Sequence, residues 1–392
     1  MINFKPQIQA RQADWIARRR DLHQHPELGF QEVRTAGIVA KELTRLGLEV
    51  QTGVGKTGVV GVLEGTTDGP TILVRADMDA LPVQEENEVE YASEYAGKMH
   101  ACGHDAHTTI GLAVAELLSE HREQIAGRIK FVFQPAEEIG MGAAAIIEDG
   151  VLRDPAPDIA LGLHIWNDMP VGHVVVTDGS IMAAANDIQV KLYGKGGHGA
   201  LPHQTIDPIL AAGHIITALQ SVVSRNLSPM DVGVISITSI KAGDSFNVIP
   251  PLVEMRGTIR AMKMDVRDTL TERFEEIVTS IASALGCRAE IKIEQLTLPV
   301  INSPDVNVRL RQVFAEVAPE LKQLHDFRLM VSEDMSYFLD AVPGSFFLVG
   351  ASDPAHGLDY PHHHPRFNFD EAVIPLAADL LASAVASYVI VS

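Results

Sequence analysis

The stretch Met99-His100-Ala101-Cys102-Gly103-His104-Asp105-Ala106-His107-Thr108 gathers a thiol, three imidazoles and a carboxylate directly ahead of an apolar helical pattern. Thiolate and imidazole are common ligands of zinc and related borderline metals. Two residues apart, Cys102 and His104 point the same way if the backbone between them is extended, and Gly103 lets that backbone approach an ion closely. Such a pair cannot close a coordination shell alone. Three further stretches offer more donors: Gln134-Pro135-Ala136-Glu137-Glu138, Gly162-Leu163-His164 and Pro361-His362-His363-His364-Pro365. Singly, a buried Cys, a strand-end His or a Glu pair has ordinary structural duties; their conjunction is far less ordinary.

These groups need a scaffold that brings them together. The apolar runs 131–133, 159–163 and 346–349 read as buried strands, so most of the donors hang from the carboxyl ends of neighbouring strands, where open α/β sheets carry their sites. Helical spacing recurs over 8–20, over 32–46 with Gly47 as a stop, and over 108–124, where Ile110, Val114, Leu117 and Leu118 share one face. The amino terminus of that last helix adds positive potential beside the Cys-His pair. Alternation of strands and helices to about residue 176 predicts a doubly wound α/β sheet.

From about 183 to 296 the pattern changes. Strands are expected at 188–193, 232–240, 248–260 and 289–295, with helices at 207–224 and 266–285. That order, β-α-β-β-α-β, is a ferredoxin-like unit. The expected organisation is a catalytic domain of residues 1–182 and 297–392, interrupted by an inserted lid and dimerisation domain of residues 183–296. Two phosphate-loop imitations carry no weight. Gly53-Val54-Gly55-Lys56-Thr57 lacks the earlier glycine of a phosphate loop, and no helix opens after Gly194, Gly196 and Gly199.

A 392-residue chain with 46% hydrophobic and 21% charged residues is long enough for two cores. Its formal charge of -20 repels phosphate backbones and anionic lipid surfaces, so neither nucleic acid nor a membrane is an expected partner. Two widely separated cysteines, one inside the metal motif, make no disulfide framework and suit a reducing compartment. Residues 1–20 are charged throughout and lack the apolar core of a signal peptide, so a cytoplasmic protein is expected. The apolar segment 372–391 is interrupted by Pro375, Asp379, Ser383 and Ser387, and reads as a helix buried against the sheet.

Taken in order, Arg75-Ala76-Asp77-Met78-Asp79-Ala80-Leu81-Pro82, the 99–108 stretch, the 134–138 stretch, Gly196-Gly197-His198-Gly199-Ala200 and His363-His364-Pro365 resemble the M20 metallopeptidase superfamily. Their order and spacing are similar to its amidohydrolase branch, which includes hippurate hydrolases, auxin-conjugate hydrolases and other N-acyl-amino-acid amidohydrolases. The resemblance implies a doubly wound catalytic domain with an inserted dimerisation domain.

Cys102, His104, Glu138, His164 and one histidine of the 362–364 run make five donors, too many for one tetrahedral ion and suited to two divalent ions such as zinc, manganese, nickel or cobalt. The family's His-x-Pro motif selects His363 from that run. Glu137 is the expected base, taking a proton from water and delivering it to the departing amine, which matches the family's use of the first glutamate. Asp79 is expected to orient a ligand histidine. By resemblance, His198 reaches the partner's site across a dimer interface and hydrogen-bonds the oxyanion, and Asn247 and Arg260 bind the substrate carboxylate. The expected protein is a cytoplasmic homodimer, or a dimer of dimers, hydrolysing N-acyl amino acids. The alternatives are a metallo-dipeptidase or carboxypeptidase on short peptides and a catalytically silent sensor of acyl-amino acids, which predicts loss of the base or of a ligand.

Overall fold

Eight strands form one mixed sheet in the computed structural model, which describes residues 2–390. Their order is Glu49–Val54, Gly58–Glu64, Ala126–Gln134, Thr67–Asp77, Ile159–Pro170, Gly344–Ser352, His173–Val175 and Lys322–Leu324. The four from Ala126–Gln134 to Gly344–Ser352 run parallel, so their carboxyl ends share one edge of the sheet. Covered on both faces, they read as near-continuous apolar runs rather than as alternation.

Parallel neighbours need a crossover, and helix His104–Ser119 supplies the one between Thr67–Asp77 and Ala126–Gln134. Every residue of this helix through Leu118 is buried. It packs against helices Lys5–Gln24 and Val373–Val389. Gly111 permits its close approach to the sheet, since a Cβ there would lie 2.9 Å from the Phe133 ring. The predicted carboxyl-terminal helix is observed as Val373–Val389, with Val391 outside the described residues. Among the described residues no helix is long and apolar enough to cross a membrane.

Residues pack as two units: one holds the chain up to Gly179, Ile301–Phe327 and everything from Asp334 onward, the other Ser180–Val300 with Arg328–Glu333. The second unit has the strand order Gly233–Ala242, Leu252–Ala261, Ala184–Tyr193, Arg288–Thr297, antiparallel throughout. Helices Pro208–Ser221 and Met264–Ala284 pack with Ile188, Val190, Leu192, Met255 and Ile259 of the strands in one core. This is the ferredoxin-like arrangement.

Two local expectations are corrected. The helix after the Cys-His pair opens at His104, not at residue 108, because Gly103 adopts φ +94° and its carbonyl accepts from Ala106 N and His107 N. The backbone between Cys102 and His104 is therefore a left-handed turn, not an extended segment. The strand expected over 248–260 is split into Val248–Ile249 and Leu252–Ala261, because Pro250 and Pro251 have no N–H to give a ladder.

Candidate metal centre

At the carboxyl edge of the parallel strands, ligand atoms of Cys102, His104 and His164 lie within 4.8 Å of one another, as do those of Cys102, Glu138 and His363. The two trios share Cys102 and together contain all five predicted donors. Cys102 Sγ is 3.4 Å from His164 Nε2, and His363 Nε2 is 3.4 Å from Glu138 Oε2. His164 lies two residues beyond the last registered pair between its strand and Thr67–Asp77, Arg75 opposite Gly162, which places it level with the carboxyl end of that neighbour. Its Nδ1 donates to Ile165 O at 2.5 Å, which leaves Nε2 for an ion. Of the histidine run, His363 faces Glu138 from a φ of +67°. His362 stacks on Trp166 and accepts from Asn167 N, and His364 stacks on Tyr360.

Asp79 holds this edge in shape. Its Oδ1 accepts from Glu137 N and its Oδ2 from Glu138 N, both at 3.0 Å, and Oδ1 lies 3.3 Å from His104 Nδ1. Ala136, just before the pair, has φ +54° and donates its N–H to Glu32 Oε1. One strand away, buried Arg75 donates to Asp77, Gln134 and Asp334, and Asp334 also accepts from Ala143 N. Asp105, next to His104, receives Arg19 Nε and faces His23 Nδ1, both at 2.8 Å.

The electrostatics of the edge fit cations. Both ring nitrogens of His104 and Oε1 of Glu138 are buried without a hydrogen-bond partner among the described residues. Burial lowers the His104 pKa, but Asp77, Asp79 and Glu138 outweigh it and push it up to about 10. The surrounding carboxylates thus favour positive charge at this position. Burial, reinforced by Glu138 and Glu137, pushes the Cys102 thiol well up, and burial also raises Glu138. Groups that resist ionising alone and lack hydrogen-bond partners are satisfied together by divalent ions. The donors present fit two.

The remaining predicted residues lie in the second unit. Gly197–His198 pairs with Val248–Ile249, setting His198 opposite Val248 and beside Asn247, whose carbonyl accepts from Gly199 N. His198 is exposed and accepts from Ala200 N, while the Asn247 amide oxygen accepts from Ser245 Oγ. Arg260 is half-buried and donates Nε to Thr258 Oγ1; among the described residues no carboxylate pairs with it.

The profile of peptidase family M20/M25/M40 matches residues 73–387. This chain belongs to that family. An M20 relative, IAA-amino acid hydrolase ILR1-like 4 of Arabidopsis thaliana, is 41% identical over 383 residues, covering 96% of this chain and 86% of its own. Thermostable carboxypeptidase 2 of Saccharolobus solfataricus is 39% identical, covering 93% of each. A solved dinuclear metal-binding M20 peptidase from Bacillus subtilis superposes with a TM-score of 0.83 at 35% identity, over 97% of this chain and 99% of that one. The protein is thus a metal-dependent amidohydrolase on a dinuclear M20 fold.

Sequence reasoning gave no role to several residues of this M20 site. His107, three residues after His104 and therefore on the same helical face, bonds Asp77 and stacks on His104. The i, i+3 spacing was the available signal. Arg75, Gln134, Asp334 and Glu32 received no role because the bonds that tie them together mostly join residues remote in the chain.

Proposed function

We propose that this protein hydrolyses N-acyl amino acids to a carboxylic acid and a free amino acid, in the cytoplasm, as a homodimer or a dimer of such dimers. The observation that carries the reading is the convergence of Glu137 with five metal-type donors at one sheet edge. Cys102, His104, Glu138, His164 and His363 would hold two zinc, manganese, nickel or cobalt ions, the thiolate favouring these over magnesium or calcium. When bound, the ions supply Lewis acidity toward water and the substrate carbonyl.

The chain's own groups do the rest. Glu137, whose backbone is fixed by Asp79, takes a proton from the attacking water and passes it to the leaving amine nitrogen. Asp79 keeps His104 oriented. Arg260, having no carboxylate partner among the described residues, is free to pair with the substrate carboxylate, with Asn247 as a second donor. His198 of the partner subunit donates to the oxyanion as water attacks. In this reading residues 1–182 and 297–392 act as the catalytic domain and 183–296 as the dimerisation domain.

A carboxypeptidase relative at 39% identity supports a second reading, action on short peptides. Amine release from N-acetyl, N-benzoyl, N-lauroyl and indoleacetyl amino acids alongside dipeptides, with stripped and metal-loaded enzyme, tests both. Metal-dependent release from the acyl amino acids is expected; release from dipeptides alone moves the substrate to peptides, and silence throughout leaves the sensor.

A further inference from the structure

We propose that His107 is a positioning residue of the metal centre: anchored by Asp77, it grips the backbone that carries His164, and it binds no metal itself. Ligand atoms of Asp77, His104 and His107 lie within 4.8 Å of one another, which by itself resembles a further ion site. The hydrogen bonds argue otherwise. Ile165 N donates to His107 Nε2 at 3.0 Å, so that nitrogen carries no proton and its lone pair is used. The proton therefore sits on Nδ1, which donates to Asp77 Oδ1 at 2.6 Å. Both ring nitrogens are spent. Asp77 is itself fixed, its Oδ2 accepting from buried Arg75 at 2.6 Å and its carbonyl from Thr108 Oγ1 at 2.9 Å.

What His107 grips explains its use. Ile165 is held at its N–H by His107 and at its carbonyl by His164 Nδ1. The His107 and His164 rings also meet edge to face, 4.4 Å between centroids. The Ile165 side chain fills the space beside Gly103, where a Cβ would come 2.6 Å from Ile165 Cδ1. Gly103 is the residue between Cys102 and His104. One strand residue thus ties the mounting of His164 to the turn that carries the Cys-His pair, and His107 with Asp77 sets where that residue sits. A shift of this peptide moves His164 Nε2 relative to Cys102 Sγ, now 3.4 Å away.

The test uses cobalt(II) added to the full chain stripped of metal, with affinity read by chelator competition and geometry by the cobalt ligand-field and thiolate charge-transfer bands. His107→Ala is expected to weaken cobalt binding by about 10–100-fold and to shift the bands, while His107→Gln, whose Oε1 can still accept from Ile165 N, recovers most of the affinity. Unchanged affinity and bands in His107→Ala overturn the proposal. Loss of one whole ion in both variants, with the other bound as before, also overturns it and makes His107 a ligand. Histidine nitrogen NMR of the unmutated protein loaded with spin-half cadmium needs no variant to fold: His107 is expected as the Nδ1–H tautomer with no coupling to cadmium, and a coupling contradicts the proposal. His164→Ala run in parallel separates the premises, because unaltered cobalt binding there removes the ligand role of His164 itself.

Discussion

The two units present their polar side chains in opposite ways. In the first unit, buried carboxylates around the donors are held by other groups: Asp79 by two backbone N–H groups, Asp77 by Arg75 and His107, Asp105 by Arg19 and His23. Among the described residues of the second unit, His198 and Asn247 are exposed and each side chain makes one local hydrogen bond, Phe246 is fully exposed, and Arg260 bonds only a hydroxyl. Groups that must meet an ion within a fraction of an ångström are preorganised by a second layer of bonds. In the proposed function these second-unit groups would be completed by a substrate or a partner subunit.

That contrast is open to attack at several points. The largest effect is expected at Glu137. Glu137→Ala should cut kcat for amine release by about 10²–10⁴-fold, since a positioned base contributes that much, with bound metal unchanged by elemental analysis. Undiminished turnover would remove the proposed base.

Next is the buried scaffold. Burial pushes the Asp105 carboxyl up, but Arg19 and His23 outweigh it and hold it far below the usual carboxylate range. A carboxylate depressed in this way stabilises the fold above its ordinary titration range, and that contribution is lost only as pH falls through the depressed value. Arg19→Met leaves Asp105 without its guanidinium and is expected to cost about 3–5 kcal/mol in urea unfolding near neutral pH. A loss under 1 kcal/mol, taken as about the ceiling for surface pairs, would mean the site is not preorganised as described.

The second unit should respond in binding rather than in stability. Arg260→Ala is expected to lower kcat/KM by about 10–100-fold, mainly through KM, because one charge-assisted pair with the substrate is lost. Metal content and urea midpoint should stay put. A collapse of metal binding in this variant would erase the division between the units.

The smallest effect is expected at Asp207, whose Oδ1 accepts from Ile209 N and Leu210 N at the start of helix Pro208–Ser221. Asp207→Ala should cost about 1 kcal/mol of stability, the usual worth of an N-cap, with kcat unchanged. A large drop in kcat would show that this helix does more than build the unit.

How much of this was legible beforehand follows the same division between local and remote information. Strand and helix identities along the first unit and the ferredoxin-like order of the second were readable because burial imposes a local period on the residues. The five candidate donors were readable as residue types in short motifs. What they lean on was not. Asp79 could be guessed as an orienter of His104, but its grip on the Glu137 and Glu138 N–H groups joins two strand ends far apart in sequence. The start of the helix at His104 was missed because the left-handed turn at Gly103 depends on Ile165 leaving no room for a side chain. Pro250-Pro251 was a local signal, and it should have split the strand on the sequence alone.

In the proposed function the buried edge of the first unit holds two ions, and amide hydrolysis depends on them. Its most direct test is stepwise addition of zinc, manganese, cobalt or nickel to chelator-stripped protein, reading bound metal per chain and amine release from an N-acyl amino acid together. No release is expected without metal, with saturation at two ions per chain and full activity only as the second site fills. Full activity in the stripped protein, or saturation at a single ion with full turnover, would contradict it.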